Sequence, residues 1–362
     1  MSETIQITKS IQKILFGSPG TGKSYKVREI ANNSLQIQWS EPTKSLENTV
    51  KTVFHPEYTY SDFIGKLLPQ TTAGGAIIYK FYPGHFLQVL GLAYKYLIDG
   101  SKKNVLLVID ELNRGNPAAI FGPIFQLLDR EIDNWSTYDV NLSELEIVAL
   151  LRAMGYDAQT TDKNIQVDGS NFDVFCQMTK MKLEMNDNRD GLRVLENLKS
   201  QRISIPRNLS IIATINTSDE SIYYLDSAFK RRWDWEYVDV PGYGREKIKD
   251  IVIEGREEKW LDFVNKLNDF IKVNHQVIRR IEDKQIGVWF LKSENNQVTK
   301  ESIENKLMFY LWDSVFPRNR RPLESLLSKG DRQSIKLITY SDFVALSDDF
   351  IDGIISCEWL TF

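Results

Sequence analysis

The sequence predicts an α/β fold, a parallel sheet flanked by helices, followed by a smaller and mostly helical C-terminal subdomain. Three observations carry this. An apolar run ends in the eight-residue string Gly17-Ser18-Pro19-Gly20-Thr21-Gly22-Lys23-Ser24. A second run, Val105 to Ile109, is continuously β-branched or leucine and ends in two adjacent carboxylates, Asp110 and Glu111. A third, Leu209 to Ile215, ends in Asn216. Continuous apolar strands of this kind belong to buried parallel sheets, and their C-terminal ends are where such sheets bind ligands. The pattern changes from buried strands to helices near Pro241, so the expected domains are 1–240 for the sheet and 241–362 for the helical lid.

The first string has the form G-x-x-x-x-G-K-[ST], a phosphate-binding loop. It follows Ile11 to Phe16, read as a strand, and precedes Tyr25 to Ala31, read as a helix. The motif therefore stands where backbone N–H groups and a helix N-terminus can hold phosphate oxygens. Gly17, Ser18, Pro19, Gly20, Thr21 and Gly22 form the cradle, Lys23 reaches the β- and γ-phosphates, and the Ser24 hydroxyl ligates Mg²⁺.

Thr49 to Phe54 reads as the second strand, followed by the aromatic segment His55-Pro56-Glu57-Tyr58-Thr59-Tyr60-Ser61-Asp62-Phe63, whose density of rings favours packing. Gly74-Gly75 between alternating stretches predicts a hairpin inserted at about 70–84, ahead of a helix that starts near Gly84. At the end of the next strand Asp110 is expected to hold Mg²⁺ directly or through water, with Glu111 orienting and deprotonating an attacking water. The bland alternative for both acids is capping of a helix at Asn116 to Phe121.

A long insertion, about 131–201, separates this strand from the next. Leu142 to Met154 is amphipathic, with Gly155 as its stop signal, and Asn186-Asp187-Asn188-Arg189-Asp190-Gly191 reads as a surface loop. Packing of a small appended unit is the default for this region. The strand expected over 203–215 ends at Asn216, which can position the hydrolytic water. The string Asn216-Thr217-Ser218-Asp219 is not a guanine reader of the N-K-x-D type, because Thr217 stands in place of the lysine. Arg231 and Arg232 follow a short helix, where the nucleotide of a neighbouring subunit would need a cation. In the C-terminal part, Trp260 to Ile271 is amphipathic and Leu307 to Trp312 begins another apolar face, and a lid of this kind turns nucleotide state into motion.

Composition bounds the reading. The 362 residues are 42% hydrophobic and 26% charged, which is ordinary for a globular chain with room for two or three compact units. A formal net charge of -4 argues against a protein coated in basic charge, although a local basic channel is compatible with it. Two cysteines and three histidines are too few for a convincing metal cluster, and the cysteine usage fits a reducing, cytoplasmic setting. No stretch of about 18 apolar residues occurs, so no membrane span is expected.

Together these strings resemble the AAA+ ATPases and GTPases, and within them the McrB type, the GTP-driven motor of modified-cytosine restriction systems. The matching segments are the phosphate loop, Phe54 to Phe63, Ile109-Asp110-Glu111-Leu112-Asn113-Arg114-Gly115-Asn116, Asn216 to Asp219, Leu225 to Trp233 and Leu311 to Phe316. The resemblance implies a self-assembled ring, expected to be a hexamer, with GTP (or ATP) between subunits. It makes Asn216 the sensor 1 residue, sets Asp219 among the nucleotide contacts, makes Arg231 and Arg232 candidate trans-acting fingers, and makes the Gly74 to Tyr82 hairpin a pore-facing insert. It also implies an McrC-like nuclease partner and action on DNA, since the chain shows no nuclease constellation. A MoxR-like ATP-dependent protein remodeller and a nucleotide-gated assembly scaffold are the competing readings. Three departures stand out. Glu220 stands where the family has arginine, Ile286-Gly287-Val288 replaces I-G-H, and only about ten residues precede the first strand, where the family carries a DNA-reading domain. Target recognition is then expected from the insertion or the partner, if it occurs.

Overall fold

The computed structural model describes residues 7–161, 164–217, 223–328 and 335–356. Among them, the chain runs in order through β1 (Gln12–Gly17), α1 (Lys23–Leu35), β2 (Thr49–Val53), the hairpin strands β3 (Gly65–Thr71) and β4 (Ile77–Pro83), and α2 (His85–Ile98). It continues through β5 (Val105–Asp110), α3 (Glu144–Ala153), α4 (Phe172–Met185), α5 (Arg189–Lys199), β6 (Leu209–Asn216), β7 (Asp234–Tyr237), α6 (Trp260–Val273) and α7 (Ser347–Ser356), with shorter turns between.

The central sheet has five strands in the order β7-β1-β6-β5-β2. β5 pairs in parallel with β6 on one side, Leu107 opposite Ile211, and with β2 on the other, Leu107 opposite Val50. Every residue from Val105 to Ile109 is buried, as is Leu209 through Ile215, which is why both strands read as unbroken apolar runs. The α/β architecture with a parallel sheet is thus the one the strand patterns predict. The strand expected over 203–215 divides in two. Arg202–Ile203 pairs antiparallel with Val140–Asn141, and the central strand begins only at Leu209, after Pro206 interrupts the ladder.

By chain contacts the molecule falls into two units. One holds the described residues of 7–14, 27–215 and 223–236, and the other those of 15–26, 216–217 and 237–356.

In the first unit α2 buries Phe86, Leu87, Leu90, Ala93, Tyr94 and Leu97. The insertion packs on this helix. Gly91 of α2 lies so close to α3 that a Cβ there would stand 2.5 Å from the Ala153 side chain. Ser143 and Glu146 close a capping box at the start of α3, and Gly155 ends it at φ 97°, so the helix follows its sequence signals. The tract 186–191 is a loop only as far as Asn188. That side chain accepts from the Gly191 N–H, capping α5, and donates to Leu97 O at 2.7 Å. A short three-stranded sheet, Ala158–Thr160, Ile165–Val167 and Ser170–Asn171, completes the insertion. The hairpin is longer than expected, running from Gly65 to Pro83 with Leu67 opposite Phe81.

The second unit has its own core, built by α6, α7 and the helical run 300–316 around Trp260, Phe263, Leu267, Phe270, Leu307, Leu311, Phe343 and Phe350. Two stretches of that run, Ile303–Met308 and Leu311–Val315, have π-helical turns.

Candidate functional site

The chemistry-bearing residues fall into two groups, one in each unit. The first is the phosphate loop, in the second unit. β1 ends at Gly17, the loop turns with positive φ at Gly20 and Gly22, and α1 begins at Lys23. Ser18, Thr21 and Lys23 are buried, whereas Ser24 is exposed. Thr21 Oγ1 donates to Ser18 O at 2.9 Å, and Lys23 Nζ donates to Gly17 O and Ser18 O, both at 2.9 Å. A buried ammonium on two carbonyl oxygens is a cation held beside backbone donors at a helix N-terminus, which is the charge arrangement a phosphate chain requires.

Two segments far downstream in sequence, one at Tyr243 and one at 282–289, strap this loop. Gly287 N donates to Pro19 O at 2.9 Å, Trp289 N to Gly20 O at 2.9 Å, and Tyr243 N to Thr21 O at 2.8 Å. Ser18 Oγ donates to Glu282 O at 2.6 Å. Gly287 has to be glycine, because a Cβ would lie 2.2 Å from Gly20 O. The strap is itself pinned to α6. Asn268 Nδ2 donates to Ile286 O and its Oδ1 accepts from Ile286 N, while Trp260 Nε1 donates to Val288 O. Val288, which stands where the family has histidine, is a core residue whose N–H donates to Pro241 O. Tyr25 and Trp289 stack with ring centroids 6.0 Å apart, and Trp289 Nε1 donates to Tyr243 O. Tyr243 and Trp289 carry no motif in the sequence that marks them as contacts of the loop. The signal available there was only the pair of glycines, Gly242 and Gly287, beside aromatic residues.

The second group lies at the ends of β5 and β6 in the first unit. Thr214 Oγ1 donates to Asp110 Oδ1 at 3.0 Å and accepts from the Glu111 N–H at 3.4 Å. Lys51 Nζ on β2 stands 2.6 Å from Asp110 Oδ2. Glu111 has φ 55° and ψ 43°, the left-handed region that costs a non-glycine residue of order 1 kcal/mol and concentrates at working sites. The helix Pro117–Phe121 is capped by Asn116 and not by either acid, the Asn116 side chain accepting from Ala119 N at 3.3 Å. Lys51 and Thr214 escape a reading of the sequence because each sits in a strand as an ordinary alternating or buried polar position. Asn216, partly buried, terminates β6 in the second unit. Asp219 and Glu220 lie outside the described residues.

The aromatic segment after β2 is packing, as its density suggests. Phe54 and Phe63 are fully buried, and Tyr58 stacks on Phe54 at 4.8 Å while its hydroxyl bonds Thr52 and His85. Burial pushes the Tyr58 phenol up to about 12.

The two arginines differ sharply. The Arg232 guanidinium donates from Nε and Nη2 to Asp129 Oδ2 at 3.0 and 2.6 Å, and from Nη1 to Ala228 O at 2.9 Å. It also lies over the Phe125 ring at 4.0 Å, with 9% of the side chain exposed. Arg231 is exposed. Phe229 and Trp233, stacked at 5.7 Å and buried against Phe121, hold the turn on which both stand.

The described residues contain no group of three or more His, Cys, Asp or Glu that could hold a metal ion by themselves. Mg²⁺ suits the residues in another way, since it takes one or two protein oxygens together with substrate phosphates and water. The Ser24 hydroxyl and the Asp110 carboxylate are oxygen donors of that kind. No helix among the described residues is long and apolar enough to cross a membrane.

A phosphate loop between strand and helix in one unit, and in the other a parallel strand that ends in an acid pair, are each marks of a nucleoside triphosphatase of the AAA+ type. No family model matches the chain. Component YdiS of the type II restriction enzyme BsuMI from Bacillus subtilis (strain 168) is 30% identical over 335 residues, 85% of this chain and 80% of that protein. The EcoKMcrB subunit of the type IV methyl-directed restriction enzyme from Escherichia coli (strain K12) is 23% identical over 264 residues, 71% of this chain and 41% of that one. The solved structure of C. elegans PCH-2 aligns with 95% of this chain and 60% of its own, at 12% identity and a TM-score of 0.23, which is too low to bear on the assignment. The chain belongs to the McrB-like family of AAA+ proteins.

Proposed function

We propose that this chain is the nucleotide-hydrolysing motor of a McrBC-like restriction or phage-defence system. It takes GTP, or ATP, with Mg²⁺, assembles with copies of itself into a ring expected to be a hexamer, and works on DNA with an McrC-like nuclease partner. The observation that carries this reading is Lys23, a buried ammonium bound to the loop carbonyls of Gly17 and Ser18. Such a cation is transferable to phosphate oxygens without leaving the loop.

The roles follow from the chemistry of each group. The backbone of 17–22 binds the phosphates and Lys23 neutralises them. Ser24 and Asp110 are the oxygen donors for Mg²⁺, which when bound screens the phosphate charge. Thr214 and Lys51 hold the Asp110 carboxylate oriented, and Thr214 also receives the Glu111 N–H. Glu111 takes the proton of the attacking water, and Asn216 orients that water. Asp219 is a further nucleotide contact by the same resemblance. Arg231 is the finger for a neighbouring subunit's nucleotide, because Arg232 is engaged by Asp129 within its own chain. Residues 241–362, which carry the strap and the helical core, are the lid that follows nucleotide state.

The test compares GTP and ATP turnover by the purified chain, alone and with the product of the adjacent gene and duplex DNA. Turnover of GTP raised by that product supports the reading. Turnover of ATP alone, indifferent to both additions, would point instead to a protein remodeller, and no turnover under any condition to a scaffold.

A further inference from the structure

Gln285, in the strap, is only 8% exposed, yet its Nε2 has no hydrogen-bond partner among the described residues. An orphaned buried donor is costly, and native structures keep few of them. The backbone around it is fixed on both sides. Glu282 O accepts from Ser18 Oγ at 2.6 Å, and Gly287 N donates to Pro19 O at 2.9 Å. Asn268 brackets the peptide groups of Ile286 at 2.8 and 2.9 Å. Gln285 itself is extended, with φ -68° and ψ 159°, so its side chain shares a face with position 287 and not with 286. The face of 287 is the loop face, because a Cβ there would stand 2.2 Å from Gly20 O, whereas Ile286 and Val288 belong to the core of the unit. The Gln285 carboxamide is therefore turned toward the phosphate loop of its own unit.

The acceptors of the loop are already engaged. Ser18 O accepts from Thr21 Oγ1 and Lys23 Nζ, while Pro19 O, Gly20 O and Thr21 O accept from the N–H groups of Gly287, Trp289 and Tyr243. Those three carbonyls face the strapping segments, so the N–H groups of Gly20, Thr21 and Gly22, which lie across trans peptides from them, face away. Phosphates are held on that far side, by N–H groups and Lys23. A neutral donor on the strap side matches the remaining part of the ligand, the nucleoside. We propose that Gln285 is a nucleoside-binding residue, whose amide donates to a hydrogen-bond acceptor of the purine ring or the ribose when a triphosphate occupies the loop. Its side chain has three rotatable bonds and swings to that acceptor, as Lys23 swings to the phosphates. The proposal rests on the nucleotide reading above. It explains why an amide stands where an apolar side chain of the same size would suit the empty protein better.

Calorimetric titration of the full chain with GTPγS, ATPγS and inorganic tripolyphosphate tests this, in the wild type and in Gln285→Met, which keeps the length and removes the donor. Gln285→Met is expected to lose about 2- to 10-fold in affinity for nucleotide, the range of one neutral hydrogen bond, and nothing for tripolyphosphate. Unequal losses for GTPγS and ATPγS place the acceptor on the base edge, and equal losses place it on the ribose or on ring atoms common to both purines. The empty variant is expected to melt at or above the wild-type temperature, since it no longer buries an unpaired donor. Losses of the same size for nucleotide and tripolyphosphate overturn the proposal, because Gln285 then acts through the loop. So does unchanged affinity for all three, the result of an amide held by water alone, or a lower melting temperature in the empty variant. Each of these outcomes leaves the nucleotide reading standing, because the wild type still binds. A wild-type chain that binds neither nucleotide overturns both.

Discussion

Lys51 Nζ stands 2.6 Å from Oδ2 of Asp110, so the carboxylate offered for Mg²⁺ already has a cation of its own. The ammonium is half exposed, and pairs of that kind are worth about 0 to 1 kcal/mol. It therefore competes weakly with a divalent ion. Lys51→Met is expected to lower the half-saturating Mg²⁺ concentration for hydrolysis by up to about fivefold, the equivalent of such a pair. A midpoint that stays put or rises in a magnesium titration would mean that Lys51 does not oppose the ion.

Lys23→Ala removes the ammonium and leaves the two loop carbonyls to water. Nucleotide affinity measured by calorimetry should fall about 10- to 150-fold for each bond lost, since a charged donor to phosphate contributes about 1.5 to 3 kcal/mol per bond. Unchanged affinity would remove the phosphate loop from the functional argument.

Glu111→Gln keeps the shape and the strained backbone but cannot accept a proton. Nucleotide binding should persist while turnover drops about 10²- to 10⁴-fold, the usual contribution of a general base. Normal hydrolysis in this variant would place the base elsewhere.

Arg231 and Arg232 are separable. Arg231→Ala should leave the melting temperature unchanged and depress turnover, with rescue when mixed with Glu111→Gln subunits if it acts across an interface. Arg232→Ala should instead lower stability by about 1 to 3 kcal/mol, because Asp129 loses a mostly buried partner. Chemical denaturation of both variants decides this, and equal stability losses would mean that the two arginines share one structural role.

Burial raises the Asp283 carboxyl above the ordinary aspartate value, against the smaller opposing effect of the Thr217 hydrogen bond. The folded state thus holds this proton more tightly than the unfolded chain does. The stability it contributes is complete below the unfolded aspartate pKa and is lost as pH rises through the folded one. Asp283→Asn, which keeps the shape and cannot ionise, should flatten the melting temperature across that acidic window and raise it at neutral pH. A steeper acid profile in the variant would reverse the assignment.

Much of this molecule is legible in its sequence because the signals are local. The spacing of Gly17, Gly22 and Lys23 specifies a loop that only a strand-to-helix turn can form, and the apolar runs before Asp110 and Asn216 require burial on both faces of a sheet. The capping box at Ser143 and the stop at Gly155 likewise act over a few residues. Other features depend on partners far apart in the chain. Lys51 meets Asp110 only because β2 pairs with β5, and nothing near either residue announces it. Arg231 and Arg232 look alike as neighbours, yet Asp129, 103 residues away, binds one of them. Gly287 is obligatory only because Gly20 O approaches within 2.2 Å of its missing Cβ. The sequence by itself determined the sheet, the phosphate loop and the acid pair, because backbone geometry and hydrophobic periodicity are written in adjacent residues. Tertiary structure alone decided which cations are engaged and how the loop is strapped, because those depend on pairwise distances between segments that the chain brings together only on folding.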